Sequence, residues 1–396
     1  MIVRRVIEDP RELTTLASEW RDLMTRSQID ELALTPTWLC TWWDVFGSAV
    51  GGELRVVSFR EDGKLIGLAP LYRRRAKHGG VLPVWRLALC CSGEAASEEI
   101  CSPYLGMLAE RGREAAIAES LAAALTSGEL GTWDDLVLAA LSESDALVKP
   151  LEIALGRAGM QPTLEQVDTS AFVRLPASWD DYLAGLPGQR RYFVKRTLRD
   201  LDSWFGDSGG ERRVTSRDDL ARGQAILYEL HRERWRAEGR EGVFEAPRFR
   251  QFHERVMEAF VDGDDAGRDA ELELCWLEQD GRACAVLYSF IYKGRVHFYQ
   301  SGRRVDLPKT VRPGIGAHLI AIKRHIAAGR EVYDFLEGEQ MYKSQLSSEE
   351  RKLFRLRAVA PVLRSRALEE ARKALVKGKR QARELYARAR SKVKPD

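Results

Sequence analysis

The chain has 396 residues, too many for one ordinary domain, so two or three are expected. Hydrophobic residues make up 44% and charged residues 31%, which are globular values. A net charge of +3 excludes a nucleic-acid-binding field spread over the whole protein. The opening MIVRRVIEDPREL lacks the apolar stretch of a secretory leader, and no apolar run of about 18 residues occurs. A cytoplasmic protein without a transmembrane segment is expected. The six cysteines, 40, 90, 91, 101, 275 and 284, form no C-x-x-C pair and are read as reduced core residues. The six histidines form no H-E-x-x-H, so no metal site is expected.

In chain order, Leu13 to Met24 reads as an amphipathic helix, and Pro36 opens a second that carries Trp38, Trp42 and Trp43. Trp38 and Trp42 are four residues apart, a spacing that points to core or inter-half packing. Asp62-Gly63 lies between two apolar, β-rich runs, a strong hairpin signal. A short strand near Tyr104 to Leu108, a helix from Arg113 to Leu125 and a strand from Leu136 to Leu141 follow. Ser178 caps a helix start. Helices are then predicted over Gly188 to Phe205, Asp218 to Gly239 and Pro247 to Phe260.

From Glu271 onward the first pattern recurs. Asp280-Gly281 matches Asp62-Gly63 at an offset of 218 residues. A strand from Arg295 to Gln300, a helix from Ile315 to Ala328 and a strand from Glu331 to Leu336 repeat the earlier order. Two α/β halves of one plan are predicted, with the boundary near Glu165 to Ala177. Only the second half places a glycine-bearing loop, Arg312-Pro313-Gly314-Ile315-Gly316-Ala317, at a helix N-terminus. Unpaired N–H groups and the helix dipole suit such a loop to phosphate. The equivalent first-half stretch, Leu108 to Glu114, lacks the paired glycines and carries two acids, so that half is read as supporting or acceptor-binding.

These residues resemble a known family. The basic helix Arg190 to Arg199, the pair Arg234-Trp235, the hairpin at Asp280-Gly281, the R-x-x-G-x-G loop at Arg312, and Asp334-Phe335-Leu336-Glu337-Gly338 with Tyr342-Lys343 are similar to the GNAT superfamily. The closer likeness is to CelD/BcsL-type acetyltransferases of cellulose and exopolysaccharide synthesis. The tandem layout resembles Fem-type aminoacyltransferases. The fold implied is α/β, with tandem GNAT-like halves, mixed β-sheets and a basic C-terminal helix. The domains implied are 1–168, a GNAT-like half expected to be non-catalytic; 169–362, the acyltransferase domain; and 363–396, the helix.

The resemblance implies acetyl-CoA or another acyl-CoA as co-substrate, with its pyrophosphate on Arg312, Gly314, Ile315, Gly316 and Ala317, and Ser301 beside it. Pro313 departs from the pattern by lacking an N–H. Transfer to an amine needs a proton acceptor and donors for the developing charge. Glu337 and Glu339, just past a strand end, are candidate bases, and Tyr342 is a candidate donor. Tyr299, Lys343, Arg191 and Lys195 are candidate substrate-binding residues, the last two sharing one helix face with Arg199. The acceptor implied is a small amine or a saccharide precursor.

From Arg366 onward eleven basic residues stand against four acidic ones, so the excess positive charge of the chain lies in its tail. Apolar residues there recur at three- and four-residue steps, which marks a helix able to meet an anionic surface or a partner. Two other functions stay open: a Fem-like transferase using aminoacyl-tRNA, and a non-catalytic GNAT-like scaffold.

Overall fold

The computed structural model describes residues 1–78, 82–261, 269–338, 341–374 and 377. The first half opens with strand β1 (Ile2–Ile7), helix α1 (Pro10–Arg26) and helix α2 (Pro36–Phe46). Strands β2 (Glu53–Leu54), β3 (Val56–Glu61), β4 (Lys64–Ala69), β5 (Leu71–His78), β6 (Leu82–Leu89) and β7 (Leu108–Ala109) follow. Helix α3 (Glu114–Ser127), strand β8 (Asp135–Ser142), helix α4 (Val148–Arg157) and strand β9 (Thr163–Arg174) complete it. The second half carries helices α5 (Trp179–Gly185) and α6 (Gly188–Phe205), strand β10 (Gly209–Arg213), and helices α7 (Arg217–Ala237) and α8 (Pro247–Phe260). Then come strands β11 (Glu271–Gln279), β12 (Arg282–Tyr292) and β13 (Arg295–Arg303), helix α9 (Pro313–Ala327) and strand β14 (Val332–Glu337). Helix α10 (Met341–Leu346) and strand β15 (Glu349–Val359) close the second half.

Local chemistry sets many of these boundaries. Asp9 accepts from the Arg11 amide at 2.9 Å and starts α1, and Ser178 accepts from the Asp181 amide at 3.1 Å and starts α5. Both Asp-Gly turns have positive φ at both residues, 50° and 80° at 62–63 and 49° and 74° at 280–281. That is the geometry that joins antiparallel strands through two residues.

The repeat extends beyond the hairpins. Sheet order β1-β3-β4-β7 in the first half parallels β10-β11-β12-β13 in the second. In each half the last of these strands then meets a parallel neighbour across a helix. β13 pairs with β14 over only Arg295–His297, and the segment before β7 meets β8 through a single bridge, Leu105 to Leu141. Beyond those pairs the strands part and leave a fork.

Two strands cross between the halves. β9, which ends the first half, pairs antiparallel with β14, and β15, which ends the second, pairs antiparallel with β8. β9 and β15 also pair with each other, so one sheet runs through both halves. The register slips at matching places, between Asp334 and Glu337 on β14 and between Leu138 and Leu141 on β8. Each slip holds a non-glycine residue in the left-handed region, Leu336 at φ 54° and Ala140 at φ 52°. The predicted boundary at 168/169 therefore lies inside β9. β5, β6, β9 and β15 lie outside the elements read from the sequence.

Buried aromatic residues join the halves. Trp38 of α2 is fully buried, with edge contacts to Phe252 of α8 at 5.0 Å and Phe290 of β12 at 5.4 Å. Its Nε1 donates to Ser102 Oγ at 3.1 Å. A charged contact adds to this: Arg295 of β13 donates to buried Glu31 at 2.8 Å. Cysteines 90, 91, 275 and 284 are buried as expected, whereas Cys101 is exposed. The C-terminal helix is described over 363–374, and the rest of the predicted basic tail, apart from 377, lies outside the described residues. Its described part docks through an acid: Glu369 meets His78 Nε2 at 2.8 Å. Among the described residues no helix is long and apolar enough to cross a membrane.

The Trp38→Ala variant is expected to lose about 3–5 kcal/mol of stability. Guanidinium unfolding followed by fluorescence and by circular dichroism should give one coincident transition. Two separated transitions would show that the halves unfold independently.

Candidate active site

The fork between β13 and β14 has two faces, because alternate side chains on a strand point to opposite sides. Toward α9 lie Phe298, Tyr333 and Phe335, packed around His318. Toward the first half lie Arg295, Tyr299 and Asp334, which meet Glu31, Trp38 and Tyr104.

On the α9 side a cavity of about 430 Å³ opens at the helix N-terminus. Its wall includes Arg312, Pro313, Gly314 and Ile315, with Ser301 from the end of β13 and Tyr342 from α10. Arg312 gives α9 no side-chain cap, so its first-turn amides are left for another acceptor. Arg234, Arg303, Arg304 and Lys309 also face the cavity, against one acid, Glu238. The site therefore favours an anion. Arg304 is held by Asp306 at 2.8 Å, and Arg234 donates to Ser301 Oγ at 3.2 Å. The guanidinium of Arg312 lies 5.2 Å from the ring centre of Phe193 on α6.

The two loop glycines have different duties. A Cβ at Gly314 would meet Arg303 Cδ at 3.3 Å, on the cavity side. A Cβ at Gly316 would come within 2.5 Å of Leu201 Cδ2, so this buried glycine lets α6 approach α9. Gly316 and Ala317 do not line the cavity walls, although both belong to the same first turns. At the corresponding first-half helix Glu114 accepts from the Gly112 amide at 3.1 Å, which sets a carboxylate at the helix start.

His318 was not singled out in the sequence. It is 2% exposed, its Nδ1 lies 2.9 Å from the Tyr333 hydroxyl, and its ring stacks on Tyr342 at 5.1 Å. Burial drives its pKa down to about 3, with Lys343 and Arg234 adding to the effect, so the imidazole is neutral. The sequence signal was its place one turn beyond Gly314 on the same helix face. Burial pushes the Tyr342 phenol well above its usual range, which keeps its proton in place.

The next residue, Lys343, turns away from the cavity. Its Nζ donates to the carbonyls of Leu336 at 3.3 Å and Glu337 at 2.8 Å, where it ties α10 to the end of β14. Burial lowers its pKa to about 8. The Glu337 side chain stands partly open to solvent at the strand end, but its carboxyl lies among the walls of the fork, and its pKa is raised to about 7. The enclosing walls contribute most, then a hydrogen bond with Asp168 of β9 and the nearby charges of Asp168 and Glu99, while Lys343 opposes the rise. Glu339, the other candidate base, lies outside the described residues.

The remaining candidates sit elsewhere. The Tyr299 hydroxyl is buried and finds no hydrogen-bond partner among the described residues, and its ring lies 4.6 Å from that of His253, facing the first half. Arg191 donates to the carbonyls of Ala184 and Leu186, both at 3.1 Å, and so closes the end of α5. Lys195 is exposed on α6. None of these three lines the cavity at α9. No group of three or more metal-ligating side chains occurs among the described residues.

Two outcomes follow from this geometry. Gly314→Asp, which sets a carboxylate in the cationic cavity, should weaken CoA binding in isothermal titration by at least about tenfold while the fold survives. Gly316→Asp should lower the melting temperature, because it clashes with Leu201. The second outcome concerns pH. The folded state keeps the Glu337 proton up to about pH 7, whereas the unfolded chain releases it near 4.5. Stability linked to this group is therefore present at low pH and lost as pH rises from about 4.5 to 7. In thermal melts across that range Glu337→Gln should fall less steeply than the wild type.

Comparison with known proteins places this geometry. Residues 188–344 match the acetyltransferase (GNAT) domain family. No curated protein sequence matches the chain. Among solved structures, FemX aligns with a TM-score of 0.57 at 11% identity, over 88% of this chain and 96% of its own. A conserved protein of unknown function from Bacteroides thetaiotaomicron aligns with a TM-score of 0.53 at 11% identity, over 91% and 100%. The C-terminal domain of a putative lysylphosphatidylglycerol synthetase from Agrobacterium fabrum aligns with a TM-score of 0.50 at 11% identity, over 92% and 96%. At this identity the likeness is one of fold. The chain is thus a mixed α/β protein of tandem GNAT-like plan, in which residues 188–344 match the acetyltransferase (GNAT) domain family.

Proposed function

We propose that the chain transfers an acyl group from acyl-CoA to the amine of a small molecule or saccharide precursor. The observation that carries this reading is the cationic cavity at the uncapped start of α9, with the Tyr342 phenol in its wall. An acyl-CoA supplies a thioester and a pyrophosphate. The pyrophosphate suits the first-turn amides of α9 and the arginines around them. The other side of the fork, where Glu337 ends β14, is left for the acceptor. We assign carrier binding to the second half, 169–362, and a supporting role to 1–168.

The chemistry follows from the side chains. Glu337 takes a proton from the acceptor ammonium, and the freed amine forms a C–N bond at the thioester carbon. The C–S bond breaks with its electron pair on sulfur. Tyr342, protonated and stacked on neutral His318, donates a proton to that thiolate, and the second proton shed by the new amide nitrogen restores the phenol through solvent. Lys343 fixes the end of β14 and so the position of Glu337.

Acetyl-CoA at 100 times its Kd should raise stability by about 2.7 kcal/mol, seen as a higher melting temperature. No shift with acetyl-CoA or longer acyl-CoA, with a shift on adding aminoacyl-tRNA, would favour the Fem-like reading instead. Tyr342→Phe should lower kcat by about 10² with KM for acyl-CoA within a few-fold, because the phenol acts only as sulfur departs. An unchanged kcat would remove Tyr342 from the mechanism.

A further inference from the structure

A second cavity, of about 550 Å³, lies on the other face of the β13 end from the α9 cavity. Consecutive residues serve the two. Arg234 and Ser301 line the α9 cavity, and Trp235 and Gln300 line the second. The first-half loop 96–101 forms one wall of the second cavity, and the 240–247 segment between α7 and α8 forms another. The Cys101 thiol and the Glu99 carboxylate lie within electrostatic reach of Glu337, so the cavity leads toward the end of β14. Its walls are acidic. Glu98 and Glu245 are spent on Arg248 and Arg232, at 3.0 and 2.6 Å. Glu99 and Glu241 are exposed and have no ion pair among the described residues. Arg240, a cation of the same wall, lies 4.9 Å from the ring centre of Trp235.

A second observation on the same side of the fork is independent of charge. Two side chains of β13 that face the first half carry polar atoms with no hydrogen-bond partner among the described residues. His297 is 0% exposed, and neither of its ring nitrogens is bonded. The Tyr299 hydroxyl, two residues on, is sealed from solvent and also unbonded, within electrostatic reach of Cys101 and Glu99. The pairing of β13 with β14 ends at His297, so both side chains stand where the strands part. Buried polar atoms almost always find a partner, so this face is shaped for a polar guest. Burial beside Arg295 and Arg351 holds the His297 imidazole neutral, which leaves one ring nitrogen able to accept a hydrogen bond.

We propose that this cavity takes the acceptor, and that the acceptor is a diamine or polyamine. Its reacting amine enters the fork beside His297 and Tyr299, and a distal ammonium meets Glu99 and Glu241 in the cavity wall. This rests on the acyltransferase reading. In the step the reacting ammonium gives a proton to Glu337, the C–N bond forms at the thioester carbon, and the C–S bond breaks with its electron pair on sulfur. The distal ammonium keeps its charge throughout. A monoamine offers nothing to the unpaired carboxylates, and the hydroxyls of a saccharide set no charge against them. The first half thus selects the acceptor through its 96–101 loop, while the second half holds the carrier.

The test uses the full chain with acetyl-CoA and, as probes, diaminobutane, spermidine, butylamine and glucosamine. Thiol release gives kcat and KM for each probe in the wild type, Glu99→Gln, Glu241→Gln and the double variant, and isothermal titration follows CoA binding. In the wild type, kcat/KM for diaminobutane and spermidine should exceed that for butylamine and glucosamine by about tenfold or more. Each single substitution should raise KM for the two polyamines about three- to fivefold and the double variant about tenfold, with KM for butylamine within about twofold. Both positions are exposed, so the variants should melt with the wild type. Butylamine or glucosamine used as well as diaminobutane, or a diaminobutane KM unmoved in the double variant, overturns the proposal while the acyltransferase reading stands. CoA bound with thiol released by none of the probes likewise overturns the proposal alone. Neither CoA binding nor thiol release overturns the acyltransferase reading and the proposal together.

Discussion

The exchange of β9 and β15 is the constraint on which the rest of the structure depends. β14 has one hydrogen-bonded neighbour from its own half, β13, and that pairing ends after His297. Its other edge is satisfied by β9, which the first half supplies. Without that strand the end of β14 would expose unpaired amides and carbonyls beside the cavity, a costly arrangement in a partly buried site. With it, Asp168 and Ser170 are brought to Glu337. The first half therefore reaches this fork through its backbone, and through Tyr104 and Glu31 as well.

The fork separates two electrostatic environments with a single strand pair. On the α9 side arginines and uncapped amides favour a polyanion. On the first-half side Asp168, Glu99 and Glu337 concentrate negative charge, tempered by Lys343. Consecutive residues 342 and 343 serve the two sides, the phenol in the cavity wall and the ammonium at the strand end. On the proposed reading, a donor carrying phosphates and an acceptor carrying an ammonium would be drawn to different faces. The left-handed backbone at Leu336 sits at the junction, and its amide bonds to Asp334 Oδ1 at 2.8 Å. That short contact offsets part of the cost of the conformation.

Elements with a local signature were legible. α6 and α8 run over the predicted residues, Gly188–Phe205 and Pro247–Phe260, because an amphipathic period and clear start signals mark them. The Asp-Gly hairpins followed from the need for two positive φ values in succession. Within the site, the α9 loop and Tyr342 came together as the order of strand, loop, helix and strand implied. The division of labour between Gly314 and Gly316 did not, because a glycine that admits a ligand and one that admits a helix look alike in sequence. The basic repeat on α6 was likewise ambiguous, and Arg191 spends its donors on the carbonyls that end α5.

The sequence by itself determined the helices, the hairpins and the anion-suited start of α9, since each is written in local spacing, and the duplicated plan followed from the recurrence of those local signals. Only the tertiary structure decided which strands lie side by side. β9 and β15 have no turn joining them to β14 and β8, and their partners are more than 150 residues away in the chain. Pairing at that distance is set by the burial of shared faces, such as the cluster of Tyr104, Leu336 and Leu353, not by local propensity. The same long-range pairing sets Ser170 opposite Glu337, a juxtaposition that exists only once the strands have crossed.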